Sequence, residues 1–66
     1  MRMRMRLLRR LKKGDRFTVA IHPGMCTVLH VLLHRDIWSV HYKNKQIFGT
    51  AIMYFHPSTK VKALSK

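Results

Sequence analysis

The chain has 66 residues, of which 14 are Lys or Arg and only two are acidic, so its formal net charge is +12. A chain of this length forms one small domain with little stability margin, and its hydrophobic content of 47% is too high for a disordered segment. Its single cysteine excludes an internal disulfide and is in keeping with a cytoplasmic location. No apolar run approaches the roughly 20 residues of a membrane span.

The N-terminal segment concentrates the charge, because residues 1–13 hold seven of the 14 basic residues and no acidic one. Met1, Met3, Met5 and Leu7 alternate with arginines, which favours an edge strand whose apolar stripe covers one open side of the fold. A helix and an arm that becomes ordered on phosphate stay open as alternatives. The chain thus divides into a basic N-terminal arm or edge strand, residues 1–13, and a small β-barrel domain, residues 14–66.

The segment after this arm begins with a turn signal at Gly14 and Asp15. Residues 16–21 then alternate in polarity, which predicts a half-buried strand. The inner face of this strand is expected to carry Phe17, Val19 and Ile21. The His-Pro-Gly sequence at residues 22–24 predicts the next turn.

Residues 26–34 fit either a strand or a short apolar helix, and their length and turn-bounded ends favour a strand with Leu29, Val31 and Leu33 inward. The spacing of Cys26, His30 and His34 suits a zinc site only on a helix. On a straight strand, four residues span about 13 Å, which is too far for adjacent ligands of one ion. We therefore expect no metal.

Three further strands follow, separated by polar or proline-containing turns. They comprise residues 37–43 with Trp38, Val40 and Tyr42 on one side, residues 47–55 with a bend at Gly49, and residues 60–64 with Val61 inward. Most of the other aromatic residues, including Phe48 and Phe55, are assigned to the core, whereas Tyr54 is expected to be exposed. Five short strands joined by short turns predict an all-β antiparallel meander.

The order of these elements resembles the small SH3-like barrel over roughly residues 11–64. The resemblance is carried by Gly14 and Asp15 before the first strand, by the strand that contains Trp38, and by the turn at residues 56–59 before Val61. It implies that the meander closes into a barrel. SH3-like barrels bind nucleic acid, peptides or ribosomal partners, so the resemblance by itself does not select a function.

The charge distribution predicts a non-enzymatic protein that binds DNA or RNA electrostatically and without sequence specificity. No carboxylate pair or glycine-rich phosphate loop is present, and no cofactor is expected. The candidate contact residues are Arg2, Arg4, Arg6, Arg9, Arg10, Lys12, Lys13, Arg16, His41, Lys43, Lys45, Lys60 and Lys62. The alternatives are a small regulator that docks on an acidic protein, a homodimer formed through an edge strand, a ribosomal or ribonucleoprotein component, and a membrane-surface role for residues 1–13.

Overall fold

A computed structural model describes residues 3–64, apart from the side chains of residues 22 and 23, so Met1 and Arg2 lie outside the described residues. The strands are β1 (Arg4–Leu7), β2 (Arg16–Val19), β3 (His22–His34), β4 (Ile37–Asn44), β5 (Ala51–Phe55) and β6 (Lys60–Leu64). A 3-10 helix, Leu8–Arg10, follows β1. The strands form one antiparallel sheet in the order β1-β6-β2-β3-β4-β5. The all-β prediction is confirmed, but β1 and β5 are free edges, so the predicted barrel closure is not.

The pairing register divides the side chains between two faces of the sheet, since directly opposed residues in antiparallel strands lie on the same face. We call the face that carries the core the inner face and the other the outer face. On the inner face, Phe17 and Tyr42 pack edge to face, with ring centroids 5.7 Å apart. The buried apolar residues are Leu8, Leu11, Phe17, Cys26, Val28, Val40, Tyr42, Val61 and Ala63. The core therefore includes residues from both sides of the predicted boundary at residue 13, because Leu8 and Leu11 belong to the basic segment.

The N-terminal segment forms the predicted edge strand, paired with β6. Its apolar stripe, however, faces the opposite way from the prediction. Met5 lies opposite Lys62 and is 58% exposed on the outer face, whereas Arg4 lies opposite the buried Ala63. The face is determined by the register with β6, and a strand placed one residue out of register reverses every side chain.

The hairpin between β2 and β3 turns at residues 20–21, so the turn predicted at residues 22–24 is wrong. Val19 pairs with His22 and Phe17 pairs with Cys26, so two steps along β2 oppose four steps along β3. The extra residues form a bulge in which Gly24 has a φ of +82°. Ile21, predicted to point inward, lies in the turn and is 71% exposed.

The segment that fitted either a strand or a helix is the second half of β3, and its predicted inner face is only partly right. Val28 pairs with Tyr42 and His30 pairs with His41, so one extra residue of β3 is accommodated at Leu29. Because of this bulge, the residues of β3 that face the core change from even-numbered to odd-numbered positions. Cys26 and Val28 are buried before the bulge, and Val31 packs against the core after it. Leu33, predicted to be inward, is exposed.

Strand β4 has the predicted alternation, with Val40 and Tyr42 buried and Trp38 half-buried. Strand β5 is shorter than predicted, because residues 47–49 form a bend. Strand β6 follows the prediction.

The turn before β6 is also confirmed. The Thr59 N–H donates to the His56 carbonyl at 2.9 Å, and Thr59 in turn accepts a hydrogen bond from the Leu8 N–H at 2.9 Å. The turn is therefore tied to the residue that follows β1.

Candidate nucleic-acid interface

A groove of about 650 Å³ lies on the outer face, between the β2–β3 hairpin and the loop that follows β4. Three predicted contact residues, Arg16, Lys43 and Lys45, line it and are exposed. The other lining residues are Gly24, Met25, Thr27, Asn44, Gln46, Ile47 and Gly49. None of the described lining residues is acidic, so the groove is suited to an anion.

The sheet register places two of these cations in one row. Arg16 of β2 lies opposite Thr27 of β3, and Thr27 lies opposite Lys43 of β4. Neighbouring strands are about 4.8 Å apart, so the Cα atoms of Arg16 and Lys43 are separated by roughly 10 Å. Both side chains leave the sheet on the outer face, with Thr27 between them in the register. The third cation, Lys45, is supplied by the loop.

The loop that supplies Lys45 is fixed at its base by Asn44, the buried last residue of β4. Asn44 Oδ1 accepts a hydrogen bond from the Gln46 N–H at 2.7 Å, and the Asn44 carbonyl accepts one from the Ile47 N–H at 3.1 Å. Asn44 Nδ2 donates to Cys26 Sγ at 3.3 Å. The Ile47 side chain packs against the core. The loop wall of the groove is thus held by specific contacts.

Tyr42 lies on the inner face, two residues before Asn44. Burial raises the pKa of its phenol above the ordinary value of 10.0, and the neighbouring Cys26 adds to the rise. The protein interior beneath the groove therefore disfavours negative charge, whereas the groove itself is lined by cations.

Two glycines leave backbone exposed on the walls of the groove. Gly24 and Gly49 have φ values of +82° and +76°, and a Cβ built on either would meet no atom within 4 Å. Both positions therefore combine a backbone conformation that favours glycine with open space. A ligand in the groove can approach the main chain closely at these two points.

Other predicted contact residues extend the basic outer face beyond the groove. Lys62 lies opposite Thr18, and Thr18 follows Arg16 by two residues, so Lys62 is a diagonal neighbour of Arg16. Lys60 lies two residues before Lys62 on the same face. Diagonal neighbours are separated by roughly 7–8 Å, so the cations of β6 and β2 form one surface.

The remaining predicted residues do not line the groove. Arg4 and Arg6 lie opposite Ala63 and Val61, at the edge of the inner face. Arg9 lines a separate shallow pocket of about 370 Å³ together with Trp38, His56 and neighbouring residues. The exposed residues of the connection to β2 are Arg10, Lys12 and Lys13. Arg2 lies outside the described residues.

His41 lies on the outer face but outside the groove, with its ring 5.6 Å from that of His30 in an edge-to-face arrangement. Cys26 is in the core, so it and His30 do not converge on one ion. Among the described side chains, which exclude that of His22, no group of three or more His, Cys, Asp or Glu residues could hold a metal. Within residues 3–64, no helix has the length and apolar character of a membrane span.

One prominent residue beside the groove is absent from the predicted contact residues. Phe48, assigned to the core, is fully exposed in the loop between Ile47 and Gly49. The polar residues 44–46 before it and Gly49 after it are turn-forming signals that could have indicated a loop.

Comparisons of the chain with protein-family models, with curated proteins and with solved structures give no significant match. The functional interpretation therefore depends on the chemistry of the chain itself.

Proposed function

We propose that this chain is a non-enzymatic protein that binds nucleic acid by holding backbone phosphates in the outer-face groove. The observation that carries the proposal is the convergence of Arg16, Lys43 and Lys45 on a groove without acidic lining residues. Phosphate contacts of this kind position a protein without reading bases, so no sequence specificity is included. The proposal includes a cytoplasmic location, which the free thiol of Cys26 supports.

The charge balance of the chain supports a polyanionic ligand. Of its two acidic residues, Asp15 is buried and its Oδ2 accepts a hydrogen bond from the Lys12 N–H at 2.9 Å. Asp36 is in the turn between β3 and β4, outside the groove. The basic outer face therefore has little internal neutralisation, and a polyanion relieves the self-repulsion of a net charge of +12.

We also propose that the sheet is an SH3-like barrel with one open side. The support is its connectivity: β6 returns after the β2–β5 meander and pairs with β2, the first strand of that meander. The open side lies between the two free edges, β1 and β5.

The test of nucleic-acid binding compares two triple variants of equal net charge. Arg16→Ala/Lys43→Ala/Lys45→Ala empties the groove of cations, whereas the matched variant removes three exposed cations outside it: Arg10→Ala/Lys12→Ala/Lys13→Ala. Binding to duplex DNA, single-stranded DNA and RNA is measured as a function of salt concentration. If each groove cation neutralises one phosphate, the negative slope of log K against log salt becomes less steep in the groove variant, by about 2.7 on duplex DNA and about 2.1 on single strands.

The matched variant is expected to change this slope much less. Equal losses of nucleic-acid affinity in the two triple variants would show that the groove is not the binding site. No binding of any nucleic acid by the folded wild-type protein at low salt would refute the function itself.

A second candidate function is protein binding by strand addition at β5, which a specific observation favours. Residues Ala51–Phe55 form a free edge without charge, and Ile52 and Tyr54 of this edge are exposed. An added strand would satisfy the unpaired backbone groups of this edge. The two candidates differ in salt dependence, since a complex held by strand addition survives high salt and a complex held by phosphates does not.

A further inference from the structure

Phe48 is the most exposed large hydrophobic residue of the described chain, and its exposure follows from the way the loop is fixed. The residue before it, Ile47, is held by the hydrogen bond of its N–H to Asn44 and by the packing of its side chain against the core. The residue after it, Gly49, has a φ of +76°. The loop is therefore anchored on the N-terminal side of Phe48, with the phenylalanine ring projecting into solvent.

The residues that flank Phe48 border a cationic groove. Ile47 and Gly49, the two neighbours of Phe48 in sequence, both line the groove that Arg16, Lys43 and Lys45 supply with positive charge. A partner that covers Phe48 must therefore combine negative charge within reach of the groove with a flat apolar surface for the ring. Nucleic acid provides both, because each phosphate is followed by a base with an exposed π-face when the strand is single.

We propose that the protein binds single-stranded nucleic acid, with phosphates in the groove and a base stacked on Phe48. This inference rests on the proposed function and specifies its ligand. A duplex presents the same phosphates but keeps its base faces stacked on one another, so Phe48 can gain a base contact only from a single strand. Stacking on an aromatic residue is tolerant of sequence, in agreement with the absence of base reading.

The experiment separates base stacking from phosphate binding with three kinds of fluorescent probe. They are single strands of about 12 nucleotides in thymidine DNA and uridine RNA forms, an abasic strand with the same number of phosphates, and a duplex of the same length. Fluorescence anisotropy at low salt gives the dissociation constant of each probe. The proteins compared are the wild type, Phe48→Ala, Phe48→Tyr and the control Tyr54→Ala, which removes another exposed aromatic ring outside the groove.

We expect Phe48→Ala to weaken single-strand binding by roughly fivefold to a hundredfold. Its binding to the abasic strand and to the duplex should stay unchanged. Phe48→Tyr, which keeps the ring, and Tyr54→Ala are both expected to bind single strands like the wild type. Loss with both the DNA and the RNA strand assigns the contact to the base, and loss with one alone identifies the preferred strand.

Three results would overturn this inference, and they differ in what they say about the proposed function. Unchanged single-strand affinity in Phe48→Ala, including the case in which this variant alters only self-association, would exclude stacking and leave phosphate binding intact. An equal loss on all probes would assign Phe48 to the groove wall instead of to a base. A wild-type protein that binds none of the probes would remove both the stacking and the function on which it rests.

Discussion

The two edges of the sheet differ in charge. Strand β1 has arginines at two of its four positions, whereas β5 has no charged residue among its five. Both strands leave one row of backbone N–H and C=O groups without a strand partner. Charged side chains on an edge strand discourage pairing with another chain, so β1 is protected against strand addition and β5 is not.

The two edges also differ in how they are anchored to the core. Strand β1 leads directly into Leu8, which is fully buried, whereas Met53 and Phe55 of β5 are only partly buried. The outer side of β5 exposes Ile52 and Tyr54, at 51% and 70%. The charged edge is therefore firmly held by the apolar residues that follow it, and the uncharged edge keeps apolar surface available for a partner.

The largest expected effect comes from removing the anchor of the charged edge. Leu8→Ala should lower the free energy of unfolding by about 2–5 kcal/mol, because it deletes a fully buried side chain and leaves a cavity. Denaturant titration measures the change, with Met5→Ala as the control on the exposed side of the same edge. A small domain has only about 5 kcal/mol of stability, so the milder Leu8→Val serves if Leu8→Ala does not fold.

A Leu8→Ala protein as stable as Met5→Ala would contradict this anchoring. Deletion of residues 1–10 is a poorer test of the basic segment, because it removes Leu8 together with the charges.

An intermediate effect is expected from giving the uncharged edge a charge like that of β1. High salt shortens the Debye length to about 3 Å at 1 M and screens the repulsion between copies, so we expect the wild type to self-associate through β5 under these conditions. Ile52→Lys should weaken that association by about tenfold or more, since it removes an apolar contact and adds a charge at the edge. Sedimentation velocity at low and high salt measures it.

The matched variant for this experiment is Met5→Lys, which adds the same charge to the edge that is already basic. We expect it to associate at high salt like the wild type. Equal behaviour of the two variants, or a wild type that stays monomeric at high salt, would remove the distinction between the edges.

The smallest expected effect concerns the interior between the two edges, where Tyr42 lies opposite Ala51 of β5. Burial raises the pKa of Tyr42 in the folded state above its ordinary value of 10.0. The unfolded chain therefore loses this proton first, and the stability that the neutral phenol preserves is complete below pH 10 and declines above it. Unfolding titrations above pH 10 should show that the free energy of unfolding falls less steeply with pH in Tyr42→Phe than in the wild type. Identical falls in the two proteins would show that ionisation of the Tyr42 phenol does not lower the stability.

The sequence predicted the positions of the strands along the chain better than their faces, and the predicted meander is wrong for β6, which pairs with β2 and β1 and not with β5. Alternation in residues 37–43 and the turn at residues 56–59 were sufficient, because side-chain polarity patterns and proline-containing turns are local properties. The bulges at Gly24 and Leu29 were not predictable in this way, since each depends on the register with a neighbouring strand. The outward direction of Met5 has the same origin.

The candidate site was predicted in part. Charge and strand alternation selected Arg16, Lys43 and Lys45, but charge also selected cations of the N-terminal segment that do not line the groove. Which of them converge depends on strand order, which brings β2 and β4 to either side of β3. Phe48 was missed because residues 47–55 were assigned to one strand, and an aromatic residue in a strand is ordinarily assigned to the core.

The hydrogen bond from Asn44 to Cys26 has a practical consequence for measuring the opening of this fold. Cys26 is the single thiol of the chain and is fully buried, so an alkylating reagent can reach it only after an opening such as the separation of β3 from β2 or from β4, the two strands with which it pairs. The rate of labelling then reports the free energy of that opening. The position of the thiol, next to the residue that fixes the groove loop, makes it a built-in reporter of whether a ligand in the groove holds these strands together.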